Sequence, residues 1–564
     1  MVERENKSLI LGLDVGGTHV DAVVLEGKRV IDKVKIPIES DDLFEPIWTA
    51  LLKLIKDKKD SISQINLSTT VATNAIAQDK LEPVGMIIES GPGVDLSHLT
   101  VKGGVFFISG YIDHRGVEIK PFNTNEIFLA KNLFKSKGIN LCGVVTKFSV
   151  RNPSHEIKIW ELLKNDFEFI SLGHKLSGKL NFPRRINTTY LNSATYPSFK
   201  RFYKGIIEAL EKEKIKTQVN ILKADGGTVE LETAKDYPVY TILSGPAASI
   251  LGALALGVPK EDGIIIDIGG TTTDIAFVIQ GIPMLEPFGI KIGDYNTLVR
   301  ALYSFSIGLG GDSAIKIIKG KLKIGPEREG FPKALGGPSP TPSDAMITLG
   351  LLDLGNKEQA IKSIKDISII LGLDTKSCAE LILKEMVGSI KKAVEKALDS
   401  INNKPITTIK ELLYGKKISP KFLFLIGGPA KALAPFLKEE FGVPCYVPKL
   451  YDVANALGAA LAKKTFEINL FINTADEILS VPELGICKKI NKSFTFEEAQ
   501  KLSLSLLREW ALSKGMREEE FESEIIESTS FNIVRGFYTC GKNIRIKAQI
   551  KPGLLFSLGE IENA

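Results

Sequence analysis

Apolar residues near the start of the chain fall into short runs separated by glycine and charged residues, which predicts a β-meander. An apolar run over residues 9–13 ends at Asp14, and Gly16 and Gly17 follow it. A second run over residues 20–25 leads into the turn "EGK" and then into a third run. Because glycine has no Cβ atom and permits tight turns, the pattern predicts strand, Gly-Gly turn, strand, turn and strand.

The same pattern occurs again in the middle of the chain. "DVGGTHVDAVV" and "DIGGTTTDIAF" each place two aspartates seven residues apart, Asp14 with Asp21 and Asp267 with Asp274. One copy alone is equally consistent with a simple hairpin turn. An internal repeat instead favours a duplicated architecture with one functional turn in each half.

The remaining pattern predicts four segments. Residues 1–64 contain the first Gly-Gly turn and a helix at "DDLFEPIWTALLKLIKDKK", and residues 65–250 alternate short apolar strands with helices, which is typical of α/β structure. Residues 251–464 contain the second turn and a long amphipathic helix at 377–401. Residues 465–564 predict a small α/β domain.

A Pro/Gly-rich stretch, "GPEREGFPKALGGPSPTPSDA" at residues 325–345, cannot form a regular helix or strand. Two interpretations stay open for it. It is an ordered loop near a functional site or a subunit contact, or it is a flexible surface loop.

Both Gly-Gly turns have the groups that a phosphate-binding site needs. Their backbone N–H and hydroxyl groups can approach an anion closely, and they belong to Gly16, Gly17, Thr18, Gly269, Gly270, Thr271 and Thr272. Asp14 and Asp267 precede the turns, where a carboxylate can hold Mg²⁺ directly or through water. Both are candidate catalytic residues, as is Asp274.

Two DxGGTxxD hairpins resemble those of the actin, Hsp70 and sugar-kinase superfamily. The resemblance implies a two-lobed, duplicated ribonuclease-H-like α/β fold (that of the actin-like ATPases) with inserted subdomains, followed here by a small C-terminal α/β domain. Residues 1–64 and 65–250 would form the first lobe, with an inserted substrate subdomain in the second of these segments, and residues 251–464 would form the second lobe. It implies ATP with Mg²⁺ in the cleft and an adenosine-binding turn late in the chain, which Gly427 and Gly428 in "FLIGGPAKA" match. No GxxxxGK[ST] P-loop is present, so a Walker-type ATPase is not expected.

Seven further motifs narrow the resemblance to the A-type members of one family, the hydantoinase/oxoprolinase family. They occur in the order "STTVATNAIAQ", "DHRG", "KFSVRNPSHE", "KADGGT", "SGPAAS", "SIGLGGDSA" and "DVANALGAA". The resemblance covers most of the chain up to about residue 462. Gly310 and Gly311 resemble a family turn that contacts nucleotide, and this interpretation is favoured over that of a tight turn before a helix.

The family resemblance implies ATP-dependent hydrolysis of a cyclic amide of the 5-oxoproline or hydantoin type. An amide carbonyl is a poor electrophile, and a phosphoryl group on its oxygen makes the carbon open to attack by water. One alternative is a subunit of an ATP-dependent carboxylase that acts on a ketone, and a further one is an ATP-driven switch or reactivating chaperone. A small-molecule substrate and a B-type subunit or a homo-oligomer are the expected partners.

Four side chains are candidates for substrate contact. The family usually has an aromatic residue where this chain has His19, so His19 could touch substrate or phosphate. Thr69, Thr70 and Asn74 form a polar cluster between apolar flanks that could bind a ring amide. The same residues could instead start and cap a helix, and both roles are compatible because a helix N-terminus also receives anions.

Asp113, His114 and His155 predict a second metal site, with Zn²⁺ or another divalent transition metal as its occupant. One carboxylate and two imidazoles would leave an open coordination position for a carbonyl oxygen or water. The other interpretation is that these histidines are surface or hydrogen-bonded residues that never meet.

Composition narrows the function classes. The formal net charge is +5, and the basic residues are interspersed with acidic ones, which argues against a nucleic-acid partner. The five cysteines are far apart and form no CxxC pair, so no disulfide framework or zinc ribbon is expected. The charged start and the absence of a long apolar run predict a cytoplasmic protein without a signal peptide or membrane partner.

Overall fold

The computed structural model describes residues 9–38, 44–55, 61–96, 98–286, 288–403 and 417–559. Its strands are, in chain order, β1 Leu9–Val15, β2 His19–Glu26, β3 Arg29–Pro37, β4 Ile62–Thr69, β5 Val84–Glu89, β6 Gly103–Phe107, β7 Tyr111–Ile112, β8 Glu118–Lys120, β9 Leu141–Thr146, β10 Phe169–Leu172, β11 Gln218–Leu222, β12 Thr228–Glu230, β13 Gly263–Ile268, β14 Thr273–Ile279, β15 Ile282–Pro283, β16 Leu285–Glu286, β17 Lys291–Ile292, β18 Tyr295–Asn296, β19 Ala301–Leu302, β20 Ser304–Ile307, β21 Ile315–Ile318, β22 Lys321–Ile324, β23 Leu423–Ile426, β24 Cys445–Tyr446, β25 Glu467–Asn473, β26 Ile478–Val481, β27 Ile486–Lys489, β28 Ser523–Arg535 and β29 Tyr538–Ile550.

The helices are α1 Phe44–Ile55, α2 Val71–Ala77, α3 Thr124–Ser136, α4 Ser154–Leu163, α5 Gly173–Leu176, α6 Phe182–Lys212, α7 Leu231–Ala234, α8 Ser244–Ala255, α9 Pro342–Thr348, α10 Lys357–Leu371, α11 Thr375–Asn402, α12 Ala430–Phe441, α13 Ala454–Leu461 and α14 Phe496–Ser513. The described residues also form short 3₁₀ helices at Pro238–Thr241, Lys333–Leu335, Tyr451–Val453, Pro482–Leu484 and Glu518–Glu520. None of the described helices is long and apolar enough to cross a bilayer.

Two sheets carry the two Gly-Gly turns, and their strand orders correspond. The first has the order β12-β11-β4-β1-β2-β3, and the second has β24-β23-β13-β14-β15 with β20 added beside β14. In each, the hairpin is antiparallel, and its first strand pairs in parallel with a later strand on the other side. The predicted strand–turn–strand units are therefore present in both places.

Helices α8 and α13 lie between these two sheets. One buried apolar cluster contains residues of both helices together with Leu25 of β2 and Ile265 of β13. The helices cross closely because glycine stands at the contact: a Cβ atom on Gly252 or on Gly458 would lie 2.0 Å from a carbonyl oxygen of the other helix. This close packing brings the N-terminal end of α13 to the region between the two Gly-Gly turns.

The described residues form two more large sheets and four small two-stranded ones. The inserted sheet has the parallel order β10-β9-β5-β6, and the C-terminal sheet has the order β27-β26-β25-β29-β28 with α14 packed against it. The segment boundary expected at residue 64 falls inside β4, which pairs with β1, and β11 and β12 return to the same sheet. These later strands lie within residues 65–250, which the resemblance assigns to the same lobe as residues 1–64, and a parallel partner strand arrives only after a crossover.

Candidate functional site

The two Gly-Gly turns have the same backbone geometry. In the first, Gly16 N–H donates to the carbonyl of His19 at 3.0 Å, and in the second, Gly269 N–H donates to the carbonyl of Thr272 at 2.9 Å. The strand register also corresponds, with Asp14 opposite Asp21 in one hairpin and Asp267 opposite Asp274 in the other. The repeated sequence thus folds into the same local structure twice.

Asp14 and Asp267 meet through Asn455, a residue at the start of α13. The Nδ2 group of Asn455 donates to Asp14 Oδ2 at 3.4 Å and to Asp267 Oδ2 at 3.0 Å. Each carboxylate also accepts a hydroxyl hydrogen bond, Asp14 from Ser68 and Asp267 from Ser249 at 2.6 Å. The candidate Mg²⁺ ligands of the two turns are therefore held in one hydrogen-bonded group.

Sequence reasoning did not single out Asn455, Ser68 or Ser249 as functional residues. All three nevertheless stand inside the family motifs, in "DVANALGAA", "STTVATNAIAQ" and "SGPAAS". For Asn455, a polar residue that interrupts an otherwise small and apolar motif is the signal that could have identified it, whereas Ser68 begins and Ser249 ends its motif and neither carries such a signal.

The carboxylates of this group are crowded and buried. Burial, followed by the nearby charges of Asp21 and Asp267, raises the pKa of Asp14 to about 6. Burial and the charge of Asp267 raise the pKa of Asp274 to about 7, and the hydroxyl of Ser306 donates to its carboxylate. Negative charge without a compensating cation is costly in such a place, so the donor set fits a divalent cation that prefers oxygen ligands.

The described residues hold no group of three or more His, Cys, Asp or Glu side chains arranged to bind a metal ion. Two carboxylates suffice for Mg²⁺, because this ion keeps several water molecules and takes phosphate oxygens as ligands. Asp14 and Asp267 fit that requirement.

The other predicted glycines gather around the second turn. Gly311 N–H donates to the carbonyl of Gly269 at 2.9 Å, and a Cβ atom on Gly310 would lie 2.5 Å from the carbonyl oxygen of Gly270. Gly427 has φ +89°, and a Cβ atom on it would lie 2.6 Å from Asp267 Oδ1. These positions require glycine because neighbouring backbone or carboxylate atoms occupy the space of a side chain.

Gly17 and Gly428 are different, since a Cβ atom on either would meet no atom within 4 Å. Their backbones border open space, where a ligand can approach closely. Thr18 and Thr271 are partly buried and Thr272 is exposed, so all three hydroxyl-bearing residues of the turns remain accessible.

The Pro/Gly-rich stretch at 325–345 is ordered and contributes to this region. Arg328 Nε lies 3.7 Å from Asp312 Oδ2, and Asp312 N–H donates to the carbonyl of Gly270 at 2.7 Å. Burial, then the charges of Lys35 and Arg328, lowers the pKa of His19 to about 4. His19 is therefore a neutral imidazole, and Arg328 is a cation close to both turns that sequence reasoning missed.

The polar cluster predicted to contact substrate lies at the end of β4, beside the first turn. Thr70 N–H donates to the carbonyl of Val15 at 3.2 Å, and Asn74 Nδ2 donates to Thr70 Oγ1 at 3.2 Å. Thr69 is buried, and its backbone N–H and carbonyl both hydrogen-bond to the Ser244 hydroxyl at the start of α8. Thr70 is the N-cap residue of α2 but makes no side-chain cap bond. A substrate role for Thr69, Thr70, Asn74 and His19 stays a prediction.

The second metal site predicted from Asp113, His114 and His155 is not assembled. The Asp113 carboxylate instead accepts from two backbone N–H groups of its own loop and from Arg115 at 2.7 Å, while the ring of His114 packs edge-on against Phe148.

His155 is fully buried, and its Nδ1 lies 2.6 Å from Glu89 Oε2. A second buried pair, His174 Nδ1 with Glu156 Oε2, also lies at 2.6 Å. In these pairs a carboxylate compensates the imidazole, so His155 links α4 to β5, His174 links α5 to α4, and the two do not converge on a metal.

The chain is similar in sequence to known proteins of one family. A family model described as Hydantoinase/oxoprolinase matches residues 185–468, and one described as Hydantoinase/oxoprolinase N-terminal region matches residues 10–167. The caprolactamase alpha chain of Pseudomonas jessenii is 24% identical over 530 residues, which cover 84% of this chain and 73% of that one. The 5-oxoprolinase of Dictyostelium discoideum is 24% identical over 93% of this chain, which spans 47% of that protein.

A solved structure of nucleotide-free acetone carboxylase has the same fold. It superposes with a TM-score of 0.70 at 16% sequence identity, covering 96% of this chain and 87% of the other. The mixed α/β architecture is therefore shared with that enzyme.

Proposed function

The chain belongs to the hydantoinase/oxoprolinase family, and we propose that it uses ATP to hydrolyse a cyclic amide. The family resemblance inferred from the seven motifs is thereby confirmed. The single observation that carries the proposal is the contact of Asn455 with both Asp14 and Asp267, which joins two equivalent Gly-Gly turns around one point.

The architecture proposed for this activity is a duplicated, ribonuclease-H-like pair of lobes of the actin-like ATPase type. It is supported by the corresponding strand orders of the two sheets and by the crossing of α8 and α13 between them. In such an arrangement the phosphates of ATP lie between the turns. The open space beside Gly17 and Gly428 gives room for a phosphate on one side and the adenosine on the other.

The residues of the chain would act mainly by position and charge. Asp14 and Asp267 would hold Mg²⁺, which neutralises charge on phosphate oxygens when it is bound with the nucleotide. Asn455 fixes both carboxylates in one orientation. The N–H groups of the turns and the guanidinium of Arg328 would stabilise negative charge on the phosphoryl group during its transfer. Transfer to the amide oxygen would leave the carbon open to attack by water.

The relatives also support a partner subunit. The caprolactamase relative is named as one subunit, alpha, of its enzyme, so we propose that this chain acts with a second, B-type subunit or as a homo-oligomer. Activity of the isolated chain would then be low and would rise when the partner is added.

Phosphate release from Mg-ATP tests the proposal across a panel of cyclic amides and of ketones with bicarbonate. We expect stimulation by a lactam or a hydantoin, and none from Asp14→Asn. Asp353→Asn is the matched control, because Asp353 is exposed and distant in sequence from both turns. Stimulation only by a ketone with bicarbonate would replace the hydrolase by a carboxylase. ATP turnover that responds to a protein client and to no small molecule would indicate a switch.

A further inference from the structure

The C-terminal sheet ends in a long hairpin, β28 and β29, whose outer strand is uncovered. The two strands are joined by a two-residue turn that begins at Gly536, where φ is +65°. β29 pairs with β25 only as far as Asn543, so the tip of the hairpin extends beyond β25. β28 is the last strand of the sheet, and β29 is the only described strand that pairs with it.

Large apolar side chains of this hairpin are exposed to solvent. The exposed fraction is 63% for Phe531, 58% for Val534, 81% for Tyr538 and 100% for Phe537. β28 itself contains neither proline nor lysine. An open strand edge with apolar side chains pairs readily with another chain, so natural proteins cover such an edge or charge it. The outer edge of β28 therefore calls for a covering partner.

The other edge of the same sheet is protected in the usual way. It is formed by β27, which has four residues and carries Lys488 and Lys489. A short strand and lysine side chains both oppose pairing with another chain. The two edges of the sheet therefore differ, and of the two only β28 is suited to pairing.

The regular part of β28 carries a self-complementary row of side chains. The register with β29 skips Ile526 on β28 and Cys540 on β29, so residues 527–535 run up to the turn without a bulge of their own. Side chains alternate between the two faces of a strand. One face of this stretch therefore carries Glu527, Thr529, Phe531, Ile533 and Arg535. An acid begins the row, a base ends it, and an aromatic residue stands at its centre.

Two copies of this stretch fit each other antiparallel about a twofold axis. Hydrogen-bonded and non-hydrogen-bonded residue pairs alternate in antiparallel pairing, so the axis must pass between a residue and its own counterpart. With the axis at Phe531, Glu527 lies opposite Arg535 of the second copy at both ends of the stretch. An axis moved by one residue sets Arg535 opposite Ile525 or Thr529, which are uncharged. Charge complementarity therefore selects the axis at Phe531.

Both charged groups are accessible for this pairing. Glu527 is exposed, and the side chain of Arg535 is 60% exposed although it lies 3.3 Å from Asp476. A guanidinium has five N–H donors, so Arg535 can bind a second carboxylate while it keeps the first.

We propose that β28 is a dimerisation strand and that a second copy of this chain covers it. Pairing joins two five-stranded sheets into one continuous sheet and satisfies the open backbone edge in both copies. Phe531 contacts its counterpart across the axis, and the pair of Glu527 with Arg535 forms twice. The inference assigns a surface to one of the partners proposed for the chain, and it holds whether or not the chain hydrolyses an amide.

Sedimentation velocity of the full chain measures its mass in solution. We expect a dimer of twice the chain mass of 61.6 kDa that dissociates on dilution. Phe531→Asp removes the aromatic contact and sets two carboxylates opposite each other, so it should weaken the dimer about 10- to 100-fold. Phe288→Asp is the matched control, because Phe288 is 70% exposed and lies outside the C-terminal sheet. That variant should dimerise like the parent.

Two charge reversals test the register. Glu527→Arg sets two bases opposite each other at both ends of the stretch, and Arg535→Glu sets two acids there. Each variant alone should therefore dimerise about 10- to 100-fold more weakly than the parent. A mixture of the two variants restores both pairs of opposite charge, so a heterodimer of near-parent affinity is expected. Lys488→Glu, a charge reversal on the other edge, should leave the dimer unchanged.

A cysteine at the axis tests the position of the twofold. The background is Cys487→Ser with Cys540→Ser, which removes the two exposed thiols. In it, Phe531→Cys should form an intermolecular disulfide under mild oxidation, because Cα atoms directly opposite each other lie about 4.5–5.5 Å apart. Asn532→Cys should cross-link far less, since its counterpart lies two residues away along the paired strand.

The outcomes decide between a second copy and other partners. A chain that sediments as a monomer even at about 100 μM would overturn the proposal. A dimer that Phe531→Asp leaves intact, or a mixture of charge variants without recovery, would overturn it too. Binding of a B-type subunit that Phe531→Asp abolishes in a monomeric chain would give the strand to that subunit instead. ATP turnover enters none of these outcomes, so failure of the dimer and failure of the hydrolase are distinguishable.

Discussion

The two Gly-Gly turns share one backbone conformation but differ in the residues around them. The difference lies in the partner of the second aspartate of each turn. In the first turn, Asp21 accepts an ion-pair hydrogen bond from Lys35 at 2.8 Å. In the second, Asp274 accepts from the Ser306 hydroxyl, and no cation lies within ion-pair distance of it among the described residues. Identical hairpins therefore leave the second aspartate of one turn paired with a cation and that of the other turn without one.

This asymmetry shows what repetition of a motif does and does not determine. The glycines and strand register reproduce the shape, because shape depends on local backbone sterics. Charge balance depends on residues supplied by other strands, and those differ between the two sheets. The first prediction tests whether the two turns are equivalent where they meet, and the later ones test where they differ.

The largest effect is expected from the first aspartate of each turn. Asp14→Asn and Asp267→Asn should each lower ATP turnover by about 100-fold or more, because each removes a carboxylate from the same proposed Mg²⁺ site. The measurement is phosphate release at saturating Mg-ATP, with circular dichroism to confirm folding. Near-normal turnover in one of the two variants would show that only one turn holds the metal.

The next largest loss of ATP turnover is expected from changing Asn455, since its side chain contacts both carboxylates without being a metal ligand itself. Asn455→Ala is expected to lower turnover by about 10- to 100-fold and to raise the Mg²⁺ concentration needed for half-maximal rate. A variant with normal Mg²⁺ dependence and reduced thermal stability alone would assign Asn455 a purely structural role. Asn356→Ala, at a helix N-cap remote in sequence from the turns, is a control for loss of a hydrogen-bonding amide.

The fold and part of the site followed from the sequence for a physical reason. Short-range pattern determines strands, turns and helices, so both hairpins, the helix found at Thr375–Asn402 and the C-terminal α/β unit were predictable. The bounds of helices were less predictable from the sequence. The helix expected at 41–59 is observed at Phe44–Ile55, and the remainder of that range lies outside the described residues.

Contacts between the two sheets that carry the Gly-Gly turns could not be predicted from one sequence. Asn455 meets Asp14 only because α13 crosses α8 between the sheets, and Arg328 reaches Asp312 only because the Pro/Gly-rich segment folds back. The wrong prediction, a metal site at His155, has the same origin. The presence of these histidines in one α/β segment does not determine whether their partners are a metal or carboxylates such as Glu89.

The difference in charge between the two turns is tested by replacing the second aspartate of each with asparagine and measuring stability without Mg²⁺. The pKa of Asp274 is raised above its unfolded value, so the native state loses stability as pH rises from about 4 to about 7. Asp274→Asn lacks that loss and should be more stable than the parent by about 1–3 kcal/mol above pH 7, with little difference at pH 4. Urea unfolding in EDTA measures this.

Asp21→Asn is the matched variant of the first turn. Burial also raises the pKa of Asp21, but Lys35 offsets part of the effect, so the change should stay within about 1 kcal/mol. An equal gain in both variants, or a gain for Asp274→Asn that does not depend on pH, would show that the turns are alike in charge balance.

The smallest effect is expected from making the two turns alike in sequence through His19→Thr, which copies Thr272. The pKa of His19 is lowered to about 4, so its imidazole is neutral between pH 5 and 8, and its removal should leave the pH profile of turnover unchanged. Because the native pKa lies below the unfolded value, the parent loses stability as pH falls from about 6.5 to 4, and the variant should regain about 1 kcal/mol at pH 4–5. Thermal unfolding at pH 5 and pH 7 measures that difference. A raised KM for the amide with unchanged kcat would instead make His19 a substrate contact, and the first turn would then differ from the second in binding as well as in charge.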